Sequence, residues 1–147
     1  MAYISFTDAE KLSILTGRRD AIDAGTHSGI MEVRTGTRPT SANDARTGTL
    51  LGYVVFPDPC SAAPGSLSAA GLDIKNIVSE DAALASGIAT WGRICSRDGA
   101  DPATATLTTC FDVDITNLGG GGTAQMNTTN IVIGGPIGVS QFLLTVA

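Results

Sequence analysis

Gly87-Ile-Ala-Thr-Trp91-Gly-Arg-Ile-Cys95-Ser-Arg-Asp-Gly99, a polar loop, and then Leu107-Thr-Thr-Cys110-Phe-Asp-Val-Asp-Ile115 form the stretch that decides the fold. Its second arm alternates strictly. Phe111, Val113 and Ile115 point one way and Asp112 and Asp114 the other, because successive side chains of a strand face opposite sides. The first arm sets Ile88, Thr90 and Ile94 against Ala89, Trp91, Arg93 and Cys95, and its residues favour strand. Asp98-Gly99 signals a turn, and Asp101-Pro102 makes the connection longer than two residues. The stretch predicts a β-hairpin. Symmetry about Pro102-Ala103 would set Cys95 opposite Cys110.

Upstream, Thr7-x-x-Glu10 matches a capping box, in which hydroxyl and carboxylate satisfy each other's free backbone N–H groups. It predicts one helix over about residues 8–24. Leu12, Leu15 and Ile22 would share its buried face, and Gly25 would close it in the left-handed region. Residues 30–35 alternate again. Leu50 to Phe56 is almost continuously apolar, as in a strand buried on both faces. Pro39 and Pro57-Asp-Pro59 punctuate these runs. Further strands are expected around Leu72 to Val78, Met126 to Ile133 and Gly138 to Val146. Ser79 to Ser86 reads as a turn region. Gly119 to Gly122 reads as a flexible hairpin connection. Six to eight short strands between Gly/Pro turns predict a mainly β chain, an antiparallel β-sandwich or jelly roll with one N-terminal α-helix, in a single domain spanning 1–147.

Composition narrows function by exclusion. The net charge of −5 and scattered arginines argue against nucleic acid, which needs a basic stripe. No apolar run approaches the roughly 20 residues of a membrane span. The N-terminus lacks the basic flank and apolar run of a secretory signal, so cytoplasmic synthesis is expected. Three cysteines without a close pair predict buried thiols, neither a disulfide framework nor a zinc site. Charged residues make up only 16%, well below the roughly 25% of an average chain. A surface so poor in charge is either rich in Thr, Ser, Asn and Gly or partly covered by partners.

No catalytic, cofactor or metal constellation emerges. His27 is the sole histidine, it lies in a glycine-flanked loop, and no Gly-x-Ser-x-Gly elbow accompanies it. Asp98, Asp101, Asp112 and Asp114 match no full calcium loop and read as a solvated face. Gly119 to Gly122 lacks the Lys-Ser/Thr of a phosphate loop. Trp91 reads as either sheet packing or an interface or sugar-stacking aromatic.

Several stretches, in this order, resemble one family: Asp23-Ala-Gly25, Gly29-Ile-Met-Glu-Val-Arg-Thr-Gly-Thr-Arg-Pro39, Thr47-Gly-Thr-Leu-Leu-Gly52, Phe56-Pro-Asp-Pro59, Gly87-Ile-Ala-Thr-Trp-Gly-Arg-Ile94, Arg97-Asp-Gly99 and Met126-Asn-Thr-Thr-Asn-Ile-Val-Ile-Gly-Gly-Pro136. The family comprises small structural proteins of tailed bacteriophages, encoded near the capsid genes. The resemblance runs from about residue 8 to 147, and Cys60 to Ser86 departs from it most. It implies a capsid cement or decoration protein with a sandwich fold and no catalytic residues. The implied partner is the major capsid protein, with homo-oligomeric contacts (dimer or trimer) on the capsid surface. The implied location is the virion, assembled in the host cytoplasm. Partner contacts are expected on the apolar lead, Tyr3, Ile4 and Phe6, on Arg34 and Arg38 in the segment ending at Pro39, and on Trp91. A head–tail connector or tail protein and a glycan-binding sandwich are the competing expectations.

Overall fold

The computed structural model describes residues 4–79 and 82–147. The chain is mainly β with one N-terminal helix. Helix α1 spans Asp8–Ile22. The Thr7 hydroxyl accepts the Glu10 N–H and the Glu10 carboxylate accepts the Thr7 N–H, so the expected capping box is complete. The helix ends two residues earlier than expected. Leu15 and Ile22 are fully buried, but Leu12 is 40% exposed and does not join them. Gly25 is not a left-handed cap. A Cβ there would lie 2.2 Å from the Arg97 carbonyl oxygen, so the glycine is needed for close approach of two backbones.

Among the described residues ten strands follow: β1 (His27–Arg34), β2 (Leu50–Val55), β3 (Ser66–Ser68), β4 (Gly71–Ile74), β5 (Gly87–Ile88), β6 (Trp91–Asp98), β7 (Thr106–Asn117), β8 (Ala124–Met126), β9 (Asn130–Ile131) and β10 (Gln141–Leu144). The predicted hairpin is β6–β7, the longest ladder in the molecule. Its first arm begins only at Trp91. Gly87 and Ile88 leave the hairpin and pair instead with β9. The ladder carries a bulge between Ile94 and Cys95, so Cys95 faces Thr109 rather than Cys110. Cys110 turns toward α1, where its thiol donates to the Ala21 carbonyl.

Eight strands form one sheet in the order β2-β1-β6-β7-β8-β10-β4-β3. The jelly roll is not confirmed, and the expectation of purely antiparallel strands changes. The strands belong to a single mixed sheet, and β7 runs parallel to β8. Parallel neighbours normally need a crossover of a dozen or more residues. Here residues 118–123 suffice, because Gly119 and Gly121 take positive φ and turn the chain back within one loop. The loop is tied down: the Gly119 N–H donates to Gln125 Oε1 and the Gly122 N–H to the Thr116 hydroxyl. The glycine run is thus a hydrogen-bonded loop that returns the chain in the same direction, not a hairpin connection.

The sheet does not lie flat. At about 4.8 Å per strand, β2 and β10 would stand about 24 Å apart in a flat sheet. Phe56, one residue beyond β2, meets Phe142 of β10 edge to face with ring centroids 5.4 Å apart. The sheet therefore curls until its two halves face each other. Met31, Val33, Val54, Ile94 and Phe111 line one half of the enclosed core; Leu72, Ile74, Met126 and Phe142 line the other. Leu15 and Ile22 of α1 complete that core. Each large aliphatic side chain so buried contributes roughly 1.5–3 kcal/mol.

Candidate interaction surface

Within the half-sheet β2-β1-β6-β7, the central strands β1 and β6 are buried on both faces. One face is the core just described. On the other, the register aligns Tyr53, Glu32, Arg93 and Asp112 in one row across four strands, with Arg34, Trp91 and Asp114 in the next. Opposite charges placed side by side on a sheet face attract. Arg93 and Asp112 form a bidentate pair, Nε to Oδ1 at 2.7 Å and Nη2 to Oδ2 at 2.8 Å. Their side chains are only 2% and 4% exposed. Hydrogen bonding to Asp112 pushes the affinity of Arg93 for its proton up, and burial opposes this without prevailing. Arg93 also lies over the Trp91 ring, 5.6 Å from its centroid.

Water is kept from this charged row by the chain between β1 and β2. Residues 35–49 form a connection without helix or strand, longer than most in compact domains. It folds back over the sheet and is pinned along its length. Its start is held by Trp91, whose indole N–H donates to the Thr35 carbonyl at 3.0 Å, and by the Thr90 hydroxyl, which donates to the Gly36 carbonyl at 2.6 Å. Arg38 bridges to Asp114 at 3.1 Å. Arg93 Nη1 donates to the Asp44 carbonyl at 2.9 Å, and Arg46 Nε donates to Glu32 Oε2 at 2.6 Å. Arg34 reaches the other Glu32 oxygen at 3.3 Å. Five separate side chains thus hold one exposed loop in one shape.

Several expectations change here. Asp112 does not belong to a solvated face; Asp114, 62% exposed at its side chain, does. Trp91 is fully buried and anchors the loop from beneath, so it presents no surface to a partner or a sugar. The Arg34 side chain is 11% exposed and committed to Glu32, so it too is withdrawn from the surface. Arg38 remains open, with 45% of its side chain exposed. Ile4 is 77% exposed and Phe6 half-buried. Tyr3 lies outside the described residues. Glu32, Arg46 and Asp44 were not singled out from sequence. Charged residues sharing one parity, Glu32 and Arg34 with Arg93 and Asp112, were the available signal.

Burial disfavours the thiolate form at Cys60 and Cys95. Burial pushes Cys95 up to about 12, with the Glu32 charge adding to it. Burial, followed by the Asp23 carboxylate, does the same to Cys60. His27 is not in a loop but opens β1, exposed and paired with Arg97 of β6, and its Nδ1 accepts the Gly99 N–H at 3.3 Å. The described residues also form two open clefts. One, of about 320 Å³, lies among Ser79, Asn127, Thr128, Pro136 and Gly138, with no aromatic wall. The other, of about 370 Å³, runs between α1 and the C-terminal residues, over Phe6, Ile14 and Leu15. Among the described residues no helix is long and apolar enough to cross a membrane, and no group of three His, Cys, Asp or Glu side chains is placed to hold a metal ion. No protein-family model, curated protein or solved structure matches the chain.

Proposed function

We propose that this chain is a structural protein of a tailed-bacteriophage head, a cement or decoration protein that binds the shell of major capsid protein and stabilises it. The sequence resemblance suggests this role, and the clamped 35–49 loop is the observation that carries it. Packaged DNA pushes outward on a shell, and a protein that resists this needs rigid surfaces. Holding a loop in one shape before binding removes the ordering cost that a mobile loop would incur on contact. The lead, with Ile4 exposed and Phe6 half-buried, lies beside α1, on the core side of β1 and β6, whereas the loop covers the opposite side. Two contact regions on opposite faces of one rigid sheet suit a bridge between neighbouring subunits. Arg38, in the loop and open to solvent, is placed to meet a carboxylate on the shell. In this reading the chain assembles in the host cytoplasm and ends in the virion. The glycan-binding alternative loses its stacking residue with the burial of Trp91. The test is copy number per purified particle, by quantitative mass spectrometry against the major capsid protein. A ratio near one, or a simple fraction such as one third or one half, is expected. A few copies per hundred would move the chain to the neck or tail, and absence from the particle would overturn the reading.

A further inference from the structure

Helix α1 and the last residues of the described chain leave an open cleft of about 370 Å³ between them. Phe6, Ile14, Leu15, Leu144 and Val146 give it apolar walls, and Arg18 is the one charged side chain that lines it. Arg18 lies over the Phe111 ring, 5.1 Å from its centroid, a contact that positions the guanidinium without neutralising it. Most other cations of the chain are already engaged. Of the nine lysines and arginines, Arg19, Arg34, Arg38, Arg46, Lys75 and Arg93 each pair with a carboxylate. Arg97 is buried and donates to the Ser28 and Ala100 carbonyls. Lys11 and Arg18 remain, and neither has an ion pair among the described residues. Positions 11, 14, 15 and 18 share one face of a helix, so both cations flank the wall made by Ile14 and Leu15. Of the acids on α1, Glu10 is turned to Thr7 and Asp20 to Arg19, and Asp8 sits at the helix start. Ala147 also lines the cleft, and its carboxylate forms no ion pair with Arg18. Glu80 and Asp81 lie outside the described residues.

We infer that this cleft docks an acidic, apolar segment of a protein partner, whose apolar side chains fill the groove while a carboxylate meets Arg18. Charge selects the occupant. The chain carries a net charge of −5, so its surface as a whole repels anions, and two cations without carboxylate partners make this spot an exception. A stacked guanidinium presents a planar fork that a carboxylate fits with two hydrogen bonds. Two cations are too few for nucleic acid, which takes a row of them along its phosphates. They are too few for an anionic membrane as well, where each adds only about 1 kcal/mol and the net charge opposes approach. The volume is at the small end of the roughly 300–1,000 Å³ of ligand sites, so it seats a few side chains of a larger partner. The inference goes beyond shell binding, since any protein that offers such a segment would fit.

Amide NMR spectra of the whole chain, titrated with a capped synthetic peptide of alternating leucine and glutamate, test it. Saturable shifts at Ile14, Leu15, Arg18, Leu144 and Val146 are expected, with a dissociation constant of about 1 mM or below. A peptide of alternating leucine and glutamine should bind the parent protein about 10-fold more weakly, a comparison that needs no variant. Arg18→Gln should weaken the acidic peptide by about the same factor. Ile14→Ser should weaken both peptides alike, because it trims the apolar wall. The spectra themselves report whether each variant folds. No saturable shift up to about 5 mM, equal affinity for the two peptides, or shifts confined to other surfaces would overturn the inference. Cleft shifts that grow with protein concentration alone would overturn it in favour of a second copy. Shifts that require phosphatidylserine vesicles would overturn it in favour of a membrane. No arm of the test involves the shell, so this inference and the shell role fail separately.

Discussion

Asp112→Ala is expected to remove about 3–5 kcal/mol of folding stability, the usual cost of leaving a buried charge without its partner. Arg93 would remain with its side chain 2% exposed and both of its carboxylate bonds lost. Its Nη1 bond to the Asp44 carbonyl does not offset a full positive charge. Arg93→Met combined with Asp112→Leu should behave differently. Replacing a buried ion pair by apolar residues of similar volume is often neutral or stabilising by about 1–4 kcal/mol. The double variant nevertheless gives up the tether to Asp44, so stability and loop order should separate. Urea unfolding reads the first and limited trypsin digestion at Arg46 reads the second. The expected pattern is a single variant that is unstable and a double variant that is stable but cut faster in the loop. An Asp112→Ala protein within about 0.5 kcal/mol of the parent, the range of ordinary surface changes, would contradict the buried row.

Phe142→Ala should cost about 3–5 kcal/mol, as deletion of a fully buried aromatic side chain does. Phe142 is 0% exposed and Phe56 is 1% exposed. Their contact joins strands that are five places apart in the sheet order. Phe56→Ala should cost a similar amount. The two losses should not add, because an edge-to-face ring pair carries about 0.5–1.5 kcal/mol of its own. A double-mutant cycle in urea with a coupling near zero would mean that the halves of the sheet do not close on each other through these rings.

Local signals in the sequence proved sufficient for local structure. The capping box at Thr7, the strand alternation of Phe111, Val113 and Ile115, and the turn at Asp98-Gly99 each depend on neighbours along the chain, and each appears as expected. What sequence reading missed depends on distant segments. Asp112 alternates like a solvated residue, and only the fold of residues 35–49 over the sheet makes it buried. Trp91 is ambiguous until Thr35 is seen to accept its indole N–H. The glycines at 119–122 suggested a flexible hairpin because glycine gains most freedom unfolded, but positive φ at Gly119 and Gly121 lets so short a loop join parallel neighbours. Gly25 illustrates the same limit: its role is set by the Arg97 carbonyl, far away in the chain. For the interaction surface, Arg38 and Ile4 remain available, whereas Arg34 and Trp91 serve beneath the loop.

The most direct measurement adds purified protein to capsid shells assembled without it and follows bound mass to saturation, with Arg38→Glu in parallel. Binding that saturates at a simple fraction of the capsid subunits is predicted. Arg38→Glu should weaken it by about 10-fold or more, because it reverses the proposed contact charge and breaks the loop's bridge to Asp114. Failure of the parent protein to bind at a defined stoichiometry would contradict the account.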